Sequence, residues 1–163
     1  MEDEWSTSGL MLAGVTGNGK SLVIKTLKAI IAHSGKKDPV AYDYCGQQAD
    51  AFLRVVKAYE LNEMFMNEPS TFKCLKSVGL LAIDDLGTEA LEIQSYGNLF
   101  SPITDLLYAR YDNRLFTIIS TNLTPKKIRD RYGDRIADRF KETMTQVVFP
   151  NMSFRGKTDA KGG

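Results

Sequence analysis

Short apolar runs alternate with amphipathic stretches along this chain, and the alternation predicts its elements. "GLMLAG" (9–14) reads as a buried strand. From Ser21 to Ser34, Leu22, Val23, Leu27, Ile30 and Ile31 share one helical face, and Gly35 supplies a stop. "PVAYDY" (39–44) predicts a second strand. Phe52, Val55, Val56 and Tyr59 then recur at helical spacing, which predicts a helix from about Gln47 to Glu60 with Arg54 and Lys57 on its polar side. A short helix is expected from Phe72 to Val78, ended by Gly79.

"LLAIDD" (80–85) is the continuous apolar run of a strand covered on both faces. "GTEALEIQSYGNLF" (87–100) reads as a loop, after which Ser101 and Pro102 open a helix that turns Ile103, Leu106, Leu107 and Tyr111 inward. "LFTIIST" (115–121) is a fourth strand. Thr124 and Pro125 repeat the cap for a charged helix, Gly133 interrupts it, and a second short helix runs from Asp134 to about Lys141 before the strand "TQVVF" (145–149). Strands separated by helical crossovers predict a single α/β domain with a five-stranded parallel sheet.

Composition narrows the partners. The 163 residues carry 21 basic and 20 acidic side chains, so the net charge of +1 gives no bulk field toward nucleic acid or membrane, and any DNA contact has to be local. Cys45 and Cys74 stand apart without a CxxC pattern, no apolar run spans a bilayer, and no signal-like segment is present, which together predict reduced, partly buried thiols in a cytoplasmic setting. His33 and Trp5 lack chemical partners nearby in sequence and read as structural or solvent-facing.

Chemistry enters at residues 14–21, "GVTGNGKS", which fit G-x-x-x-x-G-K-[ST]. Gly14, Gly17 and Gly19, with Val15, Thr16 and Asn18 between them, allow backbone N–H groups to turn inward around phosphate oxygens. Lys20 neutralises terminal phosphates, Ser21 is placed to bind Mg2+, and Leu22 continues the helix whose positive end faces the ligand. A strand before the motif and an amphipathic helix after it are the context that a phosphate cradle requires. "LLAIDD" ends in Asp84, assigned to the metal, and Asp85, assigned to the attacking water. At the end of "TIISTN", Asn122 is positioned either to hold that water or to serve as a plain helix-entry residue. In "YGDRIADRFKE", Arg135 and Arg139 share a helical face, either as a solvated, salt-bridged surface or as arginines offered to a neighbouring subunit's phosphate.

Together these stretches resemble the AAA+ ATPases of the DnaC/IstB type, helicase loaders and transposition helpers. "IDDLGTE" with "GDRIADRF", followed by a strand and "SFR", narrows the likeness beyond a general P-loop NTPase, and it covers nearly the whole chain. The resemblance implies a three-layer α/β/α domain over 9–155 without the small C-terminal helical lid of other AAA+ proteins, while the terminal stretches "MEDEWSTS" and "GKTDAKGG" read as a flexible stub at 1–8 and a flexible tail at 156–163. It also implies ATP and Mg2+ as cofactors and slow ATP hydrolysis, with Asp85 where most AAA+ proteins have glutamate. Asn122 is implied as the sensor, Arg139 as the arginine finger with Arg135 second, and Arg155 as a late arginine toward the nucleotide.

The resemblance extends to partners: self-association through the ATP site, a replicative DNA helicase, and single-stranded DNA. Its DNA-contacting region matches residues 47–60, so Arg54 and Lys57 are implied there, although a solvated helix face accounts for them as well. Loaders of this kind carry a partner-binding segment ahead of the core; here only a stub precedes it, so either the chain is a fragment or its partner is recruited otherwise. An IstB-like transposition helper, a small-molecule or nucleotide kinase, and a nucleotide-binding module that never hydrolyses remain as alternatives.

Overall fold

The computed structural model of the chain describes residues 9–42 and 47–150. Strand β1 (Gly9–Gly14) runs through the glycine-rich turn into α1 (Lys20–His33). After β2 (Lys37–Tyr42) and β3 (Gln48–Asp50) come β4 (Leu53–Lys57), a 3-10 turn at Ala58–Glu60, α2 (Leu61–Asn67) and α3 (Pro69–Leu75). Strand β5 (Leu80–Leu86) leads to β6 (Ile93–Ser95) and β7 (Asn98–Phe100), then α4 (Pro102–Asp112), β8 (Phe116–Thr121), α5 (Pro125–Tyr132), α6 (Asp134–Thr143) and β9 (Met144–Phe149).

Five strands form one parallel sheet in the order β4-β5-β8-β1-β9. Successive side chains point to opposite faces, so neighbouring residues feed different cores. Met11, Leu81, Ile83 and Ile119 pack with α2 to α6 through Leu61, Phe72, Leu106, Ile128, Ile136 and Phe140. Leu12, Leu53, Ala82 and Ile118 face the other way and pack on α1 through Ile24. The result is the expected three-layer α/β/α sandwich.

The predicted helix from Gln47 to Glu60 is not formed. Residues 53–57 instead build β4, an edge strand of the main sheet, while β2 pairs antiparallel with β3 outside that sheet. "PVAYDY" is therefore not a strand of the central sheet, and Asp43 and Tyr44 lie outside the described residues. Phe52 and Tyr59, counted toward an inward face, are about half exposed, at 51% and 55%. The β-branched pair Val55–Val56 favours the pleated conformation, and five residues suffice for an edge strand.

Smaller differences have similar causes. On α1, Ile24 is the buried contact, whereas Leu22 and Ile30 point outward. On α4 the buried position near the C-terminus belongs to Arg110 rather than Tyr111. Its guanidinium donates to the carbonyls of Leu75, Val78 and Phe116, each at 2.8 Å, and to Thr117 Oγ1 at 2.9 Å. The span expected as a loop contains the β6–β7 hairpin, turned at Tyr96 and Gly97 with φ of 48° and 82°. Thr124 caps α5 as predicted, accepting from the Lys127 N–H.

Gly133, at φ 84°, separates α5 from α6. Arg129 grips both Asp134 and, at 2.7 Å, Asp138 across that corner. Cys74 is exposed rather than partly buried, and Cys45 and Trp5 lie outside the described residues. His33 is exposed, with Nδ1 2.8 Å from the Ala29 carbonyl. No helix among the described residues is long and apolar enough to cross a membrane.

Candidate nucleotide site

The parallel order places the carboxyl ends of β4, β5, β8 and β1 side by side, the edge at which open α/β sheets carry their ligand sites. Between β1 and α1 the loop turns through Gly19, whose φ of 98° is accessible to glycine and strained for other residues. Gly19 is also the N-cap of α1 and offers no side-chain cap, so the first N–H groups of the helix face the loop.

Lys20 is buried in that loop. Its ammonium donates to the carbonyls of Gly14 at 2.6 Å and Val15 at 2.8 Å, and to Asn18 Oδ1 at 3.0 Å, which uses all three of its donors. Asn18 Nδ2 in turn donates to the Phe149 carbonyl at 3.2 Å, fixing the loop against the end of β9. Burial holds the Lys20 pKa below its ordinary 10.5, although the charges of Asp85 and Asp84 oppose the shift.

The two acids at the end of β5 diverge. Asp84 is buried, and its Oδ1 accepts from Ser21 Oγ at 3.0 Å and Ser120 Oγ at 2.5 Å. Asp85 has a left-handed backbone, φ 59°, and its N–H donates to the same Ser120 hydroxyl at 2.8 Å. Thr88 closes the turn by donating its N–H and hydroxyl to the Asp85 carbonyl. A strained non-glycine residue held on both sides, next to the glycine-rich loop, is the kind of outlier that functional sites store. Two residues beyond Asp85, Gly87 has a φ of 107°, and a Cβ there would lie 2.7 Å from the Leu123 side chain.

Two groups join the site that the sequence pattern did not place there. Ser120, at the end of an apolar run, touches both acids. Lys57, expected on a DNA-facing helix, ends β4 opposite Asp84 in the parallel register, with its ammonium 3.5 Å from Asp84 and 3.8 Å from Asp85. The alignment of the end of "LRVVK" with the end of "LLAIDD" is the signal that would have found it. Arg54 is exposed in the middle of β4, away from that edge.

The other expected residues are spread around the site. Val15 and Thr16 are exposed on the loop, and Leu22 faces outward. Asn122 is exposed one residue beyond β8, next to Thr121, whose hydroxyl donates to the Leu86 carbonyl at 2.8 Å. On α6, Arg139 turns back onto α4: its guanidinium lies 3.9 Å from the Tyr111 ring centre and 4.7 Å from that of Tyr108, with Nη2 3.4 Å from Asp112. Arg135 is exposed, 5.2 Å from the Tyr108 ring. Arg155 lies outside the described residues. The donor set suits a nucleoside triphosphate with a hard divalent cation: buried ammonium, helix N-terminus, and a hydroxyl paired with a carboxylate.

No family model and no curated protein matches this sequence. Solved structures do. The chain is similar to the DnaC helicase loader at 21% identity and a TM-score of 0.61, over 91% of this chain and 81% of that one. The structure of DnaI is similar at 18% identity and a TM-score of 0.64, over 88% and 73%. The replication initiator DnaA, bound to AMPPCP and single-stranded DNA, is similar at 17% identity and a TM-score of 0.61, over 93% of this chain and 43% of DnaA. At these identities the likeness establishes the fold alone: this chain has the three-layer α/β/α architecture of the solved DnaC, DnaI and DnaA structures.

Proposed function

We propose that this chain is an ATP switch of DNA replication, the core of a helicase loader, in the cytoplasm, that binds ATP with Mg2+, hydrolyses it slowly and works as an oligomer. The observation that carries this reading is the linked set Ser21–Asp84–Ser120–Asp85 beside Lys20. When bound, ATP with Mg2+ presents a terminal phosphoryl group polarised for attack by water. Lys20 supplies positive charge to the terminal phosphates, and Ser21 with Asp84 holds the metal. Ser120 keeps Asp84 turned inward and Asp85 turned outward, so that the second carboxylate is available to orient the water. Asn122 serves as the sensor at the same edge, and Arg155 is a late arginine toward the nucleotide.

The site is half of a shared one in this reading. Arg135 is the better placed finger, because it is exposed while Arg139 is stacked on two tyrosines. The similarity to a helicase loader supports a replicative helicase as partner, and the DnaA complex supports single-stranded DNA as a ligand. Arg54 remains the exposed DNA contact to test, whereas Lys57 belongs to the acidic pair.

The test is direct. Lys20→Ala abolishes ATP binding by calorimetry, and Asp85→Asn retains binding while phosphate release is lost. ATP affinity unchanged in Lys20→Ala would sink the reading. Arg135→Ala leaves ATP affinity intact and removes the turnover gained on assembly; a loss confined to Arg139→Ala returns the finger to Arg139.

A further inference from the structure

Glu89 stands at the far end of the loop that carries Asp85. Its carboxylate is fully buried, at 0% side-chain exposure, in a segment otherwise open to solvent at Thr88 and Ala90. Three groups meet it. Oε2 accepts the Gly87 N–H at 2.9 Å, Oε1 accepts the Tyr132 hydroxyl at 2.5 Å, and the Arg131 guanidinium lies 3.5 Å from Oε1 while also donating to the Glu89 carbonyl. A carboxylate is taken out of water only where such partners replace the hydration it loses.

The partners come from two places. Gly87 belongs to the turn after Asp85, and Arg131 and Tyr132 are the last residues of α5. Gly133 and then α6, with Arg135 and Arg139, follow directly. The turn is therefore held at both ends, by Ser120 on the Asp85 N–H and by Glu89 on the Gly87 N–H. Between those bonds, Thr121 fixes the Leu86 carbonyl and Leu123 closes against Gly87.

We propose that Glu89 is a positioning residue: its carboxylate holds Asp85 in its left-handed conformation and ties it to the α5–α6 corner, so that the hydrolytic acid and the arginine-bearing helix shift together. This rests on the ATPase reading above. A staple that served folding alone has no reason to end on the backbone N–H two residues from the acid. Energetic coupling of this kind needs a contiguous packed or hydrogen-bonded connection between two elements, and Glu89 supplies one.

The experiment uses the full chain with Glu89→Gln, which keeps length and loses charge, and Tyr132→Phe, which removes one hydroxyl. Affinity for a fluorescent ATP analogue, kcat, KM and the thermal midpoint are measured for each. Both variants bind the analogue within about threefold of the parent and keep its KM, while kcat falls about tenfold or more for Glu89→Gln and less for Tyr132→Phe. Combined with Arg135→Ala, each loss is less than multiplicative, because both substitutions act through the same corner. A lowered midpoint with unchanged kcat overturns the proposal and leaves Glu89 a fold staple. Where Glu89→Gln does not fold, Tyr132→Phe decides by the same criterion. A parent that binds ATP and never turns it over overturns the ATPase reading as well, whereas active parent and active variants overturn only the role of Glu89.

Discussion

Lys20 is the residue whose environment has the most direct chemical consequence. It is buried, its pKa lies below 10.5, and phosphate binding needs its charged form. As pH rises through that lowered value the free protein loses the proton, so ATP affinity falls on an alkaline limb below pH 10.5. Just there, binding takes up protons. Calorimetry in buffers of different ionisation enthalpy reads both effects, and affinity that stays flat up to the pKa of a solvated lysine contradicts the assignment. On the metal of the proposed site, Lys57 acts in the opposite sense. Its charge sits beside Asp84 and Asp85, so Lys57→Met lowers the Mg2+ concentration for half-maximal ATPase, by roughly severalfold for an ammonium near 4 Å in a half-exposed setting. The pair contributes at most about 1 kcal/mol to stability because the lysine is 43% exposed. Lys57 was visible in the sequence only as a charge among valines. Its neighbours are set by strand register, and register joins residues 27 positions apart that no local pattern connects.

At the scale of elements, legibility followed local rules closely. Strands β1, β5 and β8 and the Thr124 cap could be read directly, because a buried parallel strand is a continuous apolar run and a cap is a fixed residue pair. Failure came where apolar spacing did not equal burial. Phe52, Val55, Val56 and Tyr59 fit a helical stripe, yet Phe52 and Tyr59 face solvent on either side of strand β4. The β6–β7 hairpin was hidden because its turn is Tyr96–Gly97, with a tyrosine at positive φ where asparagine or aspartate would have announced it. Arg110 was hidden for another reason: a charged residue on an inward position reads as outward until its acceptors are known. It holds the last carbonyls of the α3 region to the start of β8, and burial brings its pKa down to about 10. Arg110→Met leaves the buried Leu75 carbonyl and the partly buried carbonyls of Val78 and Phe116 without that donor and destabilises the fold by about 3 kcal/mol in urea unfolding. An unchanged midpoint would show that water or backbone shifts replace it.

For the whole molecule, the order β4-β5-β8-β1-β9 is what turns scattered motifs into a site. Asp84 and Ser120 are 36 positions apart and meet because β5 and β8 are neighbours; Ser21 reaches Asp84 from the first turn of α1, which follows β1 on the other side of β8. The motif order along the chain was legible, whereas the roles of Ser120 and Lys57 needed the sheet. A ligand seated across several strands stabilises all of them. ATP with Mg2+ at 100 times its dissociation constant raises stability by about 2.7 kcal/mol, or very roughly 5–10 °C in thermal midpoint for a domain of this size. Lys20→Ala shows no such shift, and a full shift in that variant would place the nucleotide elsewhere.

The corner at Gly133 adds a property of the surroundings. Arg129 bridges Asp134 and Asp138 across it, and all three side chains are exposed. Exposed ion pairs weaken as ionic strength rises, over a screening length of about 8 Å at physiological salt. The angle at which α6 presents Arg135 is thus set partly by the medium, whereas Lys20 sits out of reach in its loop. In the proposed reading, added salt loosens an assembled, finger-dependent state before it loosens the nucleotide, and the Arg129 ion pairs make the α5–α6 corner a salt-sensitive hinge.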